Sequence, residues 1–142
     1  MARSVTQTML RPAVADDLPR LLDIRDASGA DALSDPALAD AALLRRLIGG
    51  GAVTVWDDSG KVIGFAATDG AAIHLLVDRA ARGEGVGRAL LGWACDAIRE
   101  AGHAAAIVTL AACGSAERHY LAAGWTEAGR SANGATVLKK PF

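Results

Sequence analysis

The run Arg82-Gly83-Glu84-Gly85-Val86-Gly87 constrains this chain more than any other segment. It follows a short apolar stretch, Ala71–Val77, and opens a helical pattern from about Gly85 to Ala101. Three glycines so close together permit a sharp strand-to-helix reversal and let several backbone N–H groups point the same way. With a helix N-terminus behind them they form an anion site suited to a pyrophosphate, and Arg82 adds a charged donor. The alternative is a tight turn with no ligand, because glycine-rich turns are common.

The flanking pattern extends the constraint. Val86, Leu90, Trp93, Ala94, Ala97, Ile98 and Ala101 share one helical face, and Gly102 is placed as the residue that ends it. Ala104–Leu110 is then a nearly continuous apolar run, as expected of a strand covered on both faces. Strand, helix and strand in this order predict a right-handed crossover with Ala71–Val77 and Ala104–Leu110 parallel.

The remaining segments supply arms to that step. Val5–Arg11 reads as a short strand stopped by Pro12. Asp16, as N-cap, and Asp17 open a helix to about Ala27 with a stripe of Leu18, Leu21, Leu22 and Ile24. Ser34 and Pro36 start a second helix to about Ile48, ended by Gly49, Gly50 and Gly51. Ala52–Trp56 and Lys61–Thr68 are strands around the turn Asp57–Gly60, and Asp69-Gly70 is a hairpin signal. Ser115 caps a short helix to Ala123, stopped by Gly124. Trp125–Arg130 and Ala135–Lys139 close the chain as a hairpin around Ser131–Gly134. The expected fold is α/β: one domain over residues 1–142, a mixed sheet with antiparallel arms around a central parallel βαβ step and flanking helices.

Composition removes several function classes. A formal net charge of −1 provides no global attraction to nucleic acid or an anionic membrane. The apolar runs are too short to span a bilayer, and Met1–Arg11 lacks the apolar core of a secretory signal. Cys95 and Cys113 show no metal-ligand spacing, so a reduced, cytoplasmic protein without a metal is expected. A nucleoside-triphosphate loop needs Lys and Ser/Thr after its last glycine, but Arg88 and Ala89 follow Gly87. A dinucleotide fold would put its glycines after the first strand, whereas here they follow a meander.

Two motifs now converge. Leu75-Leu76-Val77-Asp78 followed by Arg82-x-x-Gly85-x-Gly87-x-Ala89-Leu90-Leu91 closely resembles the coenzyme A-binding motif of the GNAT N-acetyltransferase superfamily. Ala116, Tyr120 and Gly124-Trp125 are similar to that family's second signature, and Leu10-Arg11-Pro12-Ala13 with Asp17-Leu18 to its N-terminus. The resemblance implies that a pantetheine arm inserts between two splayed parallel strands. It places the thioester near Leu75, Leu76 and Val77, and the pyrophosphate on the amides of Arg82, Gly83, Glu84, Gly85, Val86 and Gly87, with Arg88 following. The implied reaction is direct transfer of acetyl from acetyl-CoA to a primary amine, on a small molecule or a peptide N-terminus.

The chemical groups carry alternatives. Tyr120 is the only tyrosine, and the resemblance makes it the acid that protonates the leaving thiolate. Otherwise it packs with its hydroxyl bonded locally. His74 is a candidate base by residue type, against a packed histidine, a water chain, or an amine that arrives neutral. Cys113 stands where many members carry Asn, which puts one contact to the cofactor arm in doubt. Asp31 and Asp35 flank a loop that in this family overhangs the acceptor site. The expected partners are acetyl-CoA and an amine, with a homodimer allowed and neither nucleic acid nor membrane expected. Competing functions are a non-catalytic acyl-CoA-binding module and a tRNA-acetylating toxin, the latter disfavoured by the net charge.

Overall fold

The computed structural model describes residues 9–28, 40–81, 85–110, 116–130 and 136–142. Among these, seven strands form one sheet: β1 Leu10–Pro12, β2 Val53–Asp58, β3 Lys61–Asp69, β4 Ala72–Val77, β5 Ala105–Leu110, β6 Thr126–Arg130 and β7 Thr136–Pro141. Their order is β1-β2-β3-β4-β5-β7-β6. Only β4 and β5 run parallel, joined through α3 (Val86–Glu100), and the other neighbours are antiparallel. Helices α1 (Leu18–Ser28), α2 (Ala41–Gly49) and α4 (Ala116–Ala122), with 3-10 turns at Ala15–Asp17 and Arg79–Ala81, complete the described elements. This is the mixed sheet with a central parallel step that the sequence predicts.

Local chemistry explains the boundaries, with three corrections. Pro12 does not stop β1 but ends it in register with Thr54. An edge strand tolerates the missing N–H. The N-cap here is Val14 rather than Asp16, because a 3-10 turn, Ala15–Asp17, precedes α1 and Asp17 is its third residue. Asp17 Oδ2 accepts the Val14 N–H at 2.8 Å, and both its oxygens accept from Arg11. In α2 the cap is Asp40, which accepts the Ala42 N–H at 2.9 Å, while Ser34 and Pro36 lie outside the described residues. Between β2 and β3, Ser59 (φ 54°) and Gly60 (φ 96°) make the left-handed pair that a two-residue hairpin requires. At the end of α3, Gly102 (φ 95°) donates to Arg99 O and His103 to Ile98 O, a Schellman closure.

The sheet carries a core on each face. Leu21 and Ile24 of α1 and Leu44 and Leu47 of α2 pack on Val53, Val55, Phe65 and Leu76. On the other face, Val86, Leu90, Ala94 and Ile98 of α3 cover Ile63, Ala66, Ile73, Val77, Ala106 and Val108. Each such Val, Leu, Ile or Phe side chain contributes about 1.5–3 kcal/mol on burial. The third correction concerns β5: Ala106 and Val108 are buried, but Ala105, Ile107 and Thr109 are half-buried. Helices α1 and α2 pack mainly on β3 and β4, so the second face of β5 is not closed by them.

Gly64 sets the depth of α3. A Cβ there would stand 3.1 Å from Leu90 Cδ1, 3.2 Å from Val86 Cγ1 and 3.2 Å from Leu76 O. The first turn of α3 therefore rests directly on the β3 backbone.

Candidate active site

β4 is paired along its whole length to β3, from Asp69↔Ala72 to Gly64↔Val77. Its other edge meets β5 only at Ala72↔Ile107 and Ile73↔Val108. The Asp78 N–H donates to Ile63 O at 2.8 Å, so even-numbered residues of β4 turn their backbone polar groups toward β3. The Ile107 N–H donates to Ala71 O at 2.9 Å, so odd-numbered residues turn toward β5. Leu75 thus presents its N–H and C=O on the β5 side, two residues past the last paired register. β5 meanwhile is paired to β7 throughout, from Ala105↔Pro141 to Leu110↔Thr136. The ladder opens at the centre of the sheet and nowhere along β5–β7.

Helix α3 begins just past this opening. Gly85 takes the left-handed conformation (φ 86°) as its N-cap. The first bond back into the helix is Ala89 N–H to Gly85 O at 3.1 Å. The N–H groups of Val86, Gly87 and Arg88 therefore precede the first intrahelical bond, at the positive end of a 15-residue helix. Gly87 faces Val77, with an added Cβ 3.6 Å from Val77 Cγ2. Val86 is 2% exposed and packs inward, so only its backbone can face a ligand, whereas Arg88 is exposed. Leu75 is half-buried, and Leu76 is buried on the α1–α2 face. Arg82, Gly83, Glu84 and Cys113 lie outside the described residues. An extended polar arm fits the Leu75 edge, and an anionic end fits the start of α3.

Tyr120 sits half-buried on α4, its ring edge-on to Trp125 with centroids 5.2 Å apart and planes at 86°. The Trp125 N–H also donates to Tyr120 O at 3.1 Å. Burial, with a smaller contribution from Cys95, pushes the phenol up to about 12. Tyr120 therefore holds its proton at neutral pH and can offer it in a hydrogen bond. Cys95 is itself pushed up by burial, which keeps it a thiol.

His74 is 7% exposed and, by strand alternation, shares the face of Leu76. Tyr120 packs with the α3-side core, so the two candidates lie on opposite faces of the sheet. Among the described residues no cluster of His, Cys, Asp or Glu could hold a metal. Two cavities, of about 360 and 430 Å³, lie elsewhere, beside Leu10, Thr54 and Trp93 and beside Val14, Leu18 and Arg45. Neither touches the opened edge of β4.

Two contributors escape sequence reasoning. Gly64 gives no signal beyond being one glycine in a strand. Arg20, whose guanidinium donates to Asp78 Oδ2 at 2.7 Å and to Val62 O at 2.8 Å, reads as one charge on an exposed helical face.

The described geometry meets its counterparts in solved structures. PaiA N-acetyltransferase from Thermoplasma acidophilum, solved in complex with coenzyme A, superposes with a TM-score of 0.74 at 13% identity, over 94% of this chain and 98% of that one. Ribosomal-protein-alanine N-acetyltransferase from Brucella melitensis gives 0.76 at 22%, over 94% and 99%. YncA from Salmonella typhimurium, solved with acetyl-CoA, gives 0.75 at 18%, over 93% and 92%. At these identities the likeness establishes the fold. No curated protein matches the sequence. The model of the acetyltransferase (GNAT) domain matches residues 24–139, most of the chain and both motifs. With the split parallel step and the left-handed glycine opening α3 in their places, this chain belongs to the GNAT acetyltransferase superfamily.

Proposed function

We propose that this chain transfers an acetyl group from acetyl-CoA directly to a primary amine, on a small molecule or a peptide N-terminus. The observation that carries the reading is the β4–β5 ladder ending at Ile73↔Val108, with the Leu75 N–H turned to the opened side and the α3 N-terminus beyond it. Two of the similar structures hold coenzyme A or acetyl-CoA, which supports the same ligand here. Acetyl-CoA supplies an activated thioester carbonyl. The Leu75 N–H is the donor suited to stabilise negative charge developing on that carbonyl oxygen. The amides of Val86, Gly87 and Arg88 suit the pyrophosphate.

In the transfer a C–N bond forms as the C–S bond breaks, and the amine gives up one proton while the sulfur gains one. Tyr120 suits the sulfur end. Its phenol, at about 12, is a weaker acid than a thiol near 8.5, so its role is a strong hydrogen bond to sulfur as charge builds there. His74 is the residue placed on the opposite face, and an amine arriving neutral needs no side-chain base. Cys95, kept a thiol by burial, is a poor nucleophile.

Thermal shift with CoA, followed by an amine panel read out as free thiol, tests the proposal. Saturating CoA at about a hundredfold excess over its Kd should stabilise the fold by roughly 2.7 kcal/mol. An unmoved melting temperature removes the donor site. Binding without turnover on any amine points to a non-catalytic acyl-CoA-binding module.

A further inference from the structure

The turn between β4 and α3 is tied to the opposite face of the protein by one side chain. Arg20, on α1, donates from Nη2 to Asp78 Oδ2 at 2.7 Å and from Nε to Val62 O at 2.8 Å. Asp78 is the first residue after β4, and its own bonds fix the start of the turn. Its N–H donates to Ile63 O at 2.8 Å, its Oδ1 accepts the Ala80 N–H at 3.2 Å, and its C=O accepts the Ala81 N–H at 2.9 Å. Arg20 is about one-third exposed and Asp78 about one-fifth, so the pair is partly shielded from water. The neighbouring guanidinium and the Ala80 N–H hold the Asp78 carboxyl below its ordinary range. Three successive residues of β3 thereby anchor both ends of the turn. Val62 and Ile63 hold its entry through Arg20 and Asp78, while Gly64 seats Val86 and Leu90 at its exit.

We propose that Arg20 is a positioning residue for the donor's phosphates, acting through Asp78 on the turn that leads to the α3 N-terminus. The inference rests on the donor site proposed above. Arg20 reaches from α1 to β3 and Asp78 rather than to the opened edge of β4, so its effect runs through the backbone of residues 78–81. A bidentate hold of this kind is specific to a planar guanidinium, because lysine presents a single point charge and cannot take Val62 O and Asp78 Oδ2 in the same fork.

Calorimetry with CoA, and steady-state assays with acetyl-CoA and with S-acetylpantetheine, which has no phosphates, test this. Arg20→Ala should weaken CoA on the order of tenfold and raise the acetyl-CoA KM with little change in kcat. It should leave kcat/KM for S-acetylpantetheine near wild type, and Arg20→Lys should recover part of the loss. Asp78→Asn, which keeps an acceptor for the Ala80 N–H, should reproduce the same split and serves if Arg20→Ala does not fold. Equal penalties on the two donors, or CoA binding unchanged in both variants, overturn the inference. Absence of CoA binding by the unaltered protein overturns the donor-site reading itself, and is seen before any variant is made.

Discussion

The Tyr120 and Trp125 rings meet edge to face, 5.2 Å between centroids and 86° between planes, while the Trp125 N–H closes on Tyr120 O. Gly124, at φ 98°, makes that return possible. The relationship holds the ring of Tyr120 without using its hydroxyl. Tyr120→Phe should therefore preserve the packing, worth about 0.5–1.5 kcal/mol for such an aromatic pair, and leave the melting temperature almost unchanged. If the hydroxyl hydrogen-bonds the departing sulfur, turnover should fall about 10²–10³-fold with the acetyl-CoA KM little altered. Wild-type turnover, measured where chemistry limits the rate, would make Tyr120 a packing residue.

The pH dependence follows from the same burial. A phenol raised to about 12 stays protonated through the range in which enzymes are assayed, and its donor role is lost only as pH rises through that value. The rate profile of the wild type should show no limb assignable to Tyr120 below about pH 10. A limb in that range that disappears in Tyr120→Phe would contradict the burial argument.

At Gly85 the difficulty for a side chain is conformational rather than steric. Among the described residues no atom lies within 4 Å of an added Cβ, but φ is +86°. Asparagine tolerates this region better than other residues, so Gly85→Asn should keep CoA binding within several-fold. Gly85→Asp adds a negative charge where the pyrophosphate is proposed to sit and should bind at least about tenfold more weakly than the asparagine variant. Raising the salt concentration should narrow that difference, and calorimetry at two ionic strengths measures it.

At Gly64 the opposite holds, because the backbone is ordinary and the space is missing. Gly64→Ala should destabilise by about 1–3 kcal/mol through contact with Leu90, Val86 and the Leu76 carbonyl. CoA binding should weaken along with stability, since the turn that must move is the one opening α3. Denaturant midpoints and CoA titration of the same preparation test both parts.

Arg11 bridges Asp17 and Asp57, and its hydrogen bonds lower both carboxyls from their ordinary range. A lowered native pKa contributes stability above the unfolded value, near 3.9, and loses it as pH falls through the native value. Asp17→Asn should cost about 1 kcal/mol at pH 7, a figure kept small because Arg11 is partly exposed. The difference from wild type should shrink below about pH 4. Urea unfolding at pH 7 and pH 3 measures this, and an unchanged difference at the lower pH would show that Asp17 acts through packing instead.

Local chemistry made much of the chain readable in advance. A glycine at positive φ, a carboxylate that accepts from a nearby N–H, or a stripe at helical spacing is decided by neighbours within a few residues, so α3, its Gly85 and Gly102 ends, and the Asp69-Gly70 hairpin could be read directly. The N-cap ahead of α1 is Val14 and not Asp16 because a 3-10 turn and a helix begin with the same composition. How far the parallel pair stays paired was not legible: Ala104–Leu110 reads as an uninterrupted strand, and nothing in it marks Ile73↔Val108 as the last register. Only the tertiary structure decided that, since where two strands separate depends on what packs on each face and on β7 holding β5 from the far side. It likewise joined Arg20 to Asp78 across 58 positions and set Gly64 beneath Val86 and Leu90. Such pairings arise from the folded path of the chain, and no local pattern of residue types encodes them.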